Sequence, residues 1–164
     1  MKTRFTLFIP FLTAIALIGQ VAWAADTDVV RYSKKAAFND VRDDLVIAIQ
    51  NKGLVIDHTS HIHKMLERTK KDIGAKMTVY QEGQSYSFCS ALLSRKTMEA
   101  DPHNMAFCPY SIVVYTTAAD PKTVYIAYRR PYRPDGSAAS KSSLKDVENL
   151  LDGIAREALG MKKK

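Results

Sequence analysis

Cys89 and Cys108 are the chain's two cysteines, nineteen residues apart. Paired thiols can close a structural disulfide, hold a soft metal, or cycle between dithiol and disulfide. They do not form a CxxC motif, so a thioredoxin-type centre has no support. A second group is His58-Thr59-Ser60-His61-Ile62-His63-Lys64-Met65. On a strand, His61 and His63 would share one face, and His58 or Met65 could complete a metal site. Histidine with methionine suits copper, and histidine with thiolate suits zinc or copper(I). The same three histidines could equally decorate an exposed loop. His103 and Met105 lie close to Cys108 in sequence and could join a thiol site or remain loop residues.

The rest of the catalytic repertoire is thin. There is no GxSxG, HExxH, GxxxxGK or GxGxxG. Nothing in the sequence argues for an enzyme, and no cofactor is required by it. Tyr110, Tyr115, Tyr125 and Tyr128 fit strand positions better than proton-donor roles.

The compartment decides which thiol chemistry applies. Lys2 and Arg4 precede an apolar stretch, Phe5 to Gly19, and Ala22-Trp23-Ala24 fits the small-x-small cleavage rule. These features predict a signal peptide over residues 1–24 and a periplasmic or secreted domain over 25–164. The competing reading is a retained membrane anchor. No later segment has the roughly 20 apolar residues a spanning helix needs. Export places the thiols where they oxidise, which makes a Cys89–Cys108 disulfide the leading expectation. A loop of that size contributes roughly 3 kcal/mol in the chain-entropy model. A thiol site for a ligand or metal, and a reversible redox pair, stay open beside it.

The whole chain carries 24 basic and 17 acidic residues, net +7, two of the basic ones in the leader. Lys162, Lys163 and Lys164 form a basic tail. The remaining excess makes no continuous stripe, so nucleic acid is not an expected partner. A small ligand or a protein partner is.

The elements that must position these residues read as follows. Val29 to Tyr32 is a short strand. Ala37 to Lys52 is a helix, with Phe38, Val41, Leu45, Ala48 and Ile49 on one face and Gly53 as its stop. A strand over Leu54-Val55-Ile56 runs on toward Ile62. A short helix from Lys64 to Ile73 presents Leu66, Thr69 and Ile73, and ends at Gly74. Lys76 to Cys89 is extended, with a break near Glu82-Gly83, and Ala91 to Glu99 is helical. Tyr110 to Thr117 and Thr123 to Tyr128 form an antiparallel hairpin. Ser143-Leu144-Lys145-Asp146 fits a helix-starting box, followed by Leu144, Val147, Leu151, Ile154 and Ala158 at helical spacing. Two long amphipathic helices against one mostly antiparallel sheet predict an α+β fold.

Several of these segments resemble the DUF302 family, small domains of unknown function. The resemblance runs from about Val29 to Pro131 and rests on Asn51-Lys52-Gly53, Ile56-Asp57-His58 and the Met65 to Gly74 helix. Cys89 falls at the family's Cys-Asn-Pro element, and Cys108, before Ser111-Ile112-Val113-Val114-Tyr115, falls at its Pro-Cys-Asn element. Here Ser90-Ala91 replaces Asn-Pro, and Pro109 follows its cysteine instead of preceding it. The resemblance implies a fold similar to the TATA-binding protein: a curved antiparallel sheet with two main helices on one face. It implies that self-association into a homodimer through sheet or helix faces is open to the chain, and it implies no DNA binding, because fold does not carry function. Family members without export signals have the same two cysteines in a reducing compartment, which implies a role older than clamping.

Overall fold

The computed structural model describes residues 28–162. The leader expected at residues 1–24 lies outside them, as do Lys163 and Lys164. In chain order the elements are β1 (Val29–Lys35), α1 (Phe38–Gln50), β2 (Ile56–Ser60), α2 (Ile62–Thr69), β3 (Tyr80–Phe88), α3 (Ala91–Ala100), a 3₁₀ turn (Pro102–Phe107), β4 (Tyr110–Thr117), β5 (Thr123–Arg129) and α4 (Ala138–Ala158). The five strands make one sheet in the order β1-β5-β4-β3-β2, and every neighbouring pair is antiparallel.

The period-two alternation of the strands decides which face is covered. Along β4, Tyr110, Ile112, Val114 and Thr116 are buried, while Ser111 is exposed and Val113 and Tyr115 are half-buried. Val124, Ile126 and Tyr128 of β5 and Tyr86 and Phe88 of β3 join that inner set. Val41, Leu45, Ala48 and Ile49 of α1 meet them from the other side, together with Val147, Leu151, Ile154, Ala155 and Ala158 of α4. Each fully buried aliphatic or aromatic side chain here contributes about 1.5–3 kcal/mol by leaving water. The helical face of the sheet is therefore the core, as the apolar spacing of both long helices predicts.

Two expectations are corrected. The strand of residues 54–62 is shorter, ending at Ser60, and α2 begins at Ile62 with His61 as its N-cap. Val55 is exposed outside the strand, and Ile73 is exposed beyond the end of α2. Leu66 and Thr69 are only half-buried, because α2 lies on the outer face of the sheet over β3 and has no fully buried residue. The closing helix starts earlier than the box at Ser143. Ser137 is its N-cap, accepting from the Ser140 N–H at 3.1 Å, while Ser143 is buried inside the helix and donates to the Ser140 carbonyl at 2.9 Å. Residues 138–143 hold no large apolar side chain, so they carry no apolar rhythm that would mark them as helical. The stop at Gly160 holds. Gly160 takes a positive φ of 66°, with Gly160 N–H to Glu157 O at 3.0 Å and Met161 N–H to Arg156 O at 2.9 Å. Those two bonds close the last turn onto its free carbonyls. Among the described residues, no helix is long and apolar enough to cross a membrane.

Candidate functional site

The register of β3 on β4 ends with Phe88 opposite Tyr110, so the segments carrying Cys89 and Cys108 leave the sheet side by side. Their sulfurs are 3.0 Å apart. An S–S bond is about 2.05 Å, and both residues are free, half-buried thiols, so the expected disulfide is a contact here and not a bond. The ends are fixed locally. Ser90 caps α3, its Oγ accepting from the Leu93 N–H at 3.4 Å. Cys108 closes the 3₁₀ turn, donating its N–H to the Met105 carbonyl at 3.0 Å, and the peptide bond to Pro109 is cis.

Around the sulfurs stand groups the sequence did not single out. The Ser94 hydroxyl is 3.6 Å from Cys108 Sγ and 3.1 Å from the Tyr110 hydroxyl. Burial pushes the Cys89 thiol up to about 11, helped by its hydrogen bond to Cys108 and by the negative charges of Cys108 and Asp57. A thiol shifted that way is protonated near neutral pH and is a poor nucleophile. Tyr110 is raised as well, first by burial.

The histidine cluster is dispersed by the turn from β2 into α2. His58 is exposed on β2 and His61 is exposed at the helix cap, while Met65 points outward on α2, 41 % exposed. His63 is already engaged: its Nδ1 sits 2.8 Å from the Gly83 carbonyl and 3.1 Å from the Gly83 amide, and its Nε2 lies 3.1 Å from Glu82. The ring therefore anchors α2 to β3. His61 and His63 meet edge to face, 6.4 Å apart, and do not share a strand face. His103 and Met105 are exposed in the 3₁₀ turn. Among the described residues, no group of three or more His, Cys, Asp or Glu side chains is arranged to hold a metal ion.

A cleft lies next to the thiols. β4 and β5 pair only over Val113–Tyr115 against Tyr125–Ala127. Beyond that point Tyr110 to Ile112 pair with β3, and Tyr128 and Arg129 pair with β1. The sheet divides there, and a cavity of about 710 Å³ occupies the division. Phe107, Pro109 and Val113 line one side and Ala127 and Arg129 the other, while Leu151 of α4 reaches it from the helical layer. A smaller hollow of about 250 Å³ shares Val29, Val113 and Ala127 with it and continues to Tyr80 and Tyr115. Tyr115 stacks on Tyr125 at 5.2 Å and meets Tyr80 edge-on at 5.4 Å, so the outer face has an aromatic floor where those tyrosines were expected only as strand residues. Tyr110 joins the cleft to the thiols, since it lines the cavity and its hydroxyl bonds Ser94.

A second polar group has no signal in the sequence, because its members are 120 residues apart. Asp152 accepts hydrogen bonds from the hydroxyl of Tyr32, from Arg156 Nε at 2.8 Å, and from the Tyr128 hydroxyl at 3.4 Å. The Arg156 guanidinium also lies over the Tyr32 ring, 4.6 Å from its centre. Burial works to raise the Asp152 carboxyl, but the bonds from Tyr32 and Arg156 and the arginine's charge prevail and hold it below its ordinary value. Tyr32 and Tyr128 are both raised, first by burial and then by the neighbouring carboxylate. The group ties β1 and β5 to α4.

These features define a small α+β protein: one antiparallel sheet, its long helices on one face, and a thiol pair beside a cleft where the sheet divides. The family model described as "Domain of unknown function DUF302" matches residues 29–158, and the chain belongs to the DUF302 family. The match takes in α4 as well as the segments that carry the sequence resemblance. The crystal structure of an uncharacterized conserved protein DUF302 from Bacillus stearothermophilus superposes with a TM-score of 0.66 at 15 % identity, covering 80 % of this chain and 98 % of that one. Likeness at that identity concerns the fold. No curated protein matches the chain.

Proposed function

We propose that the protein is an exported, non-enzymatic binding domain whose ligand site is the cleft beside Cys89 and Cys108. The observation that carries this is the division of the sheet between β4 and β5, which leaves a cavity of about 710 Å³ whose wall includes Phe107 and Pro109, the two chain neighbours of Cys108. Small-molecule sites are concave, mostly apolar spaces of about 300–1,000 Å³. Export is supported by Lys2, Arg4, the apolar run that follows and Ala22-Trp23-Ala24. In an oxidising compartment the two sulfurs need to approach by about 1 Å more to bond, which would fix the Cys108–Pro109 end of the wall.

The test is amide NMR mapping with a fragment set containing neutral, cationic and anionic members. Shifts clustering on Phe107 to Val113 and Ala127 to Arg130 are expected. Silence of that region toward every fragment would remove the reading.

A second reading, a thiol-redox protein cycling Cys89 and Cys108, is favoured by the 3.0 Å sulfur contact. The raised Cys89 thiol counts against it as an attacking nucleophile. Intact mass measurement of protein taken from its own compartment, without reductant and with thiol alkylation and a metal scan, separates the two. A pair found as a mixture of dithiol and disulfide, shifting with a glutathione buffer, supports cycling. A fully closed pair without metal supports the binding domain.

A further inference from the structure

Resting on the cleft reading above, the geometry points to an amphipathic organic anion as its ligand: a carboxylate with an aliphatic or aromatic body. Charge and surface in the cleft both lead there. The lining is largely apolar, from Phe107, Pro109, Val113, Ala127 and Leu151, and it contains no carboxylate. Two arginines stand at its β5 end, Arg129 and Arg130. Arg129 is exposed, and its side chain has no ion-pair or hydrogen-bond partner among the described residues. Arg130 Nε lies 3.0 Å from Glu148, yet no hydrogen bond forms along that line and the buried Nε–H is left without an acceptor. An apolar slot with one unpaired cation, Arg129, and one unused buried donor, the Arg130 Nε–H, at one end is complementary to a molecule with an apolar body and one anionic head.

The other large hollow, about 660 Å³ between β1 and α4, lacks this asymmetry. Its lining holds the carboxylates Glu148 and Asp152, and each of its cations is paired with an acid: Arg156 with Asp152, Lys52 with Glu157, and both Lys145 and Arg130 with Glu148. A cleft with unmatched positive charge has an electrostatic preference, and a hollow with matched charge does not.

The test is calorimetric titration of the purified protein with decanoate, 3-phenylpropionate and decan-1-ol, for the wild type, Arg129→Gln and Ala127→Trp. Binding of at least one of the two acids is expected. Arg129→Gln should weaken it roughly fivefold, with lower affinity at high salt, and Ala127→Trp should abolish it. Melting curves establish that both variants fold, and Arg129→Gln, an exposed change, keeps the question answerable if the tryptophan does not. Preference for decanoate indicates a lipid-derived acid, and preference for 3-phenylpropionate an aromatic one. Decan-1-ol binding as tightly as the acids, or Arg129→Gln binding them as the wild type does, overturns the anion assignment. In that case neutral or cationic fragments that still map to Phe107 to Val113 leave the binding-domain reading standing. No binding of any probe, together with a silent fragment map, removes both.

Discussion

Asn104 donates from Nδ2 to Ser140 Oγ at 2.9 Å and to the Thr97 carbonyl at 2.9 Å, tying the 3₁₀ turn that leads to Cys108 to the end of α3 and the start of α4. Asn104 is 1 % exposed and Ser140 is fully buried, so this bond is made away from water. The turn is held from its other end by Asp101, which accepts from the His103 N–H at 2.9 Å and from Arg133 at 2.6 Å. The position of Cys108 is thus set by a polar lock and not by the apolar core alone.

Asn104→Ala removes both donors and leaves the Ser140 hydroxyl and the Thr97 carbonyl with lost partners. The expected cost is about 1–3 kcal/mol in urea unfolding, with faster alkylation of Cys108 as the turn loosens. An unchanged midpoint and unchanged thiol reactivity would show that the lock does not hold the turn.

The raised Cys89 thiol has two consequences for the reduced protein. Alkylation should be slow near neutral pH and rise about tenfold per pH unit until the thiol titrates, near 11. The folded state also holds this proton more tightly than the unfolded chain. Its contribution to stability is therefore fully present below the ordinary thiol value of about 8.5 and is lost as pH climbs toward 11. Unfolding of the reduced wild type and of Cys89→Ser, compared at neutral and alkaline pH, checks the sign: the variant should lose less on going alkaline. An alkylation rate that plateaus near pH 7 contradicts the assignment.

The elements carrying apolar rhythm were legible in the sequence. Val41, Leu45, Ala48 and Ile49, and Val147, Leu151, Ile154 and Ala158, fall where helical spacing puts them, and the β4–β5 hairpin follows from alternation. The placement of Cys89 at the end of one strand and of Cys108 before the next was also readable, while the pairing of those two strands is seen only in the fold. What local pattern cannot show is where a pairing ceases. Nothing in Tyr110-Ser111-Ile112 or Tyr128-Arg129 says that the two strands stop pairing with each other while each keeps its other neighbour, and the cleft exists because they do. The placement of the histidines was hidden for a related reason. Three imidazoles within six residues are a strong compositional signal, but a strand ending at Ser60 and a helix beginning at Ile62 send them apart, and His63 goes to Gly83. The Tyr32–Asp152–Arg156 group spans nearly the whole chain, so only the fold brings it together.

Asp152→Asn tests that group. The folded state favours the charged carboxylate, so its stabilisation is present above the unfolded-chain value of about 3.9 and is lost as pH falls through the lower folded value. The variant should be about 1–2 kcal/mol less stable than the wild type near neutral pH, and the gap should narrow in acid. A pH-independent gap would assign the loss to packing and not to charge.

The end of α4 allows the same substitution to act in opposite directions within a few residues. Gly160 has a φ of 66°, and a Cβ added there would meet nothing within 4 Å. Gly160→Ala therefore has no steric partner to displace, and its cost is that of the left-handed backbone alone, about 1–2 kcal/mol. Gly153 lies inside α4 with an ordinary helical backbone, and its added Cβ also meets nothing. Gly153→Ala should stabilise by about 0.5–1 kcal/mol, because alanine has less freedom to lose on folding. Chemical unfolding of the two single variants and the double variant measures both terms. The double variant should show their sum, a net loss of up to about 1.5 kcal/mol, since the two act through separate backbone positions and share no side-chain contact. If both variants destabilise, the helix-propensity account of Gly153 is wrong.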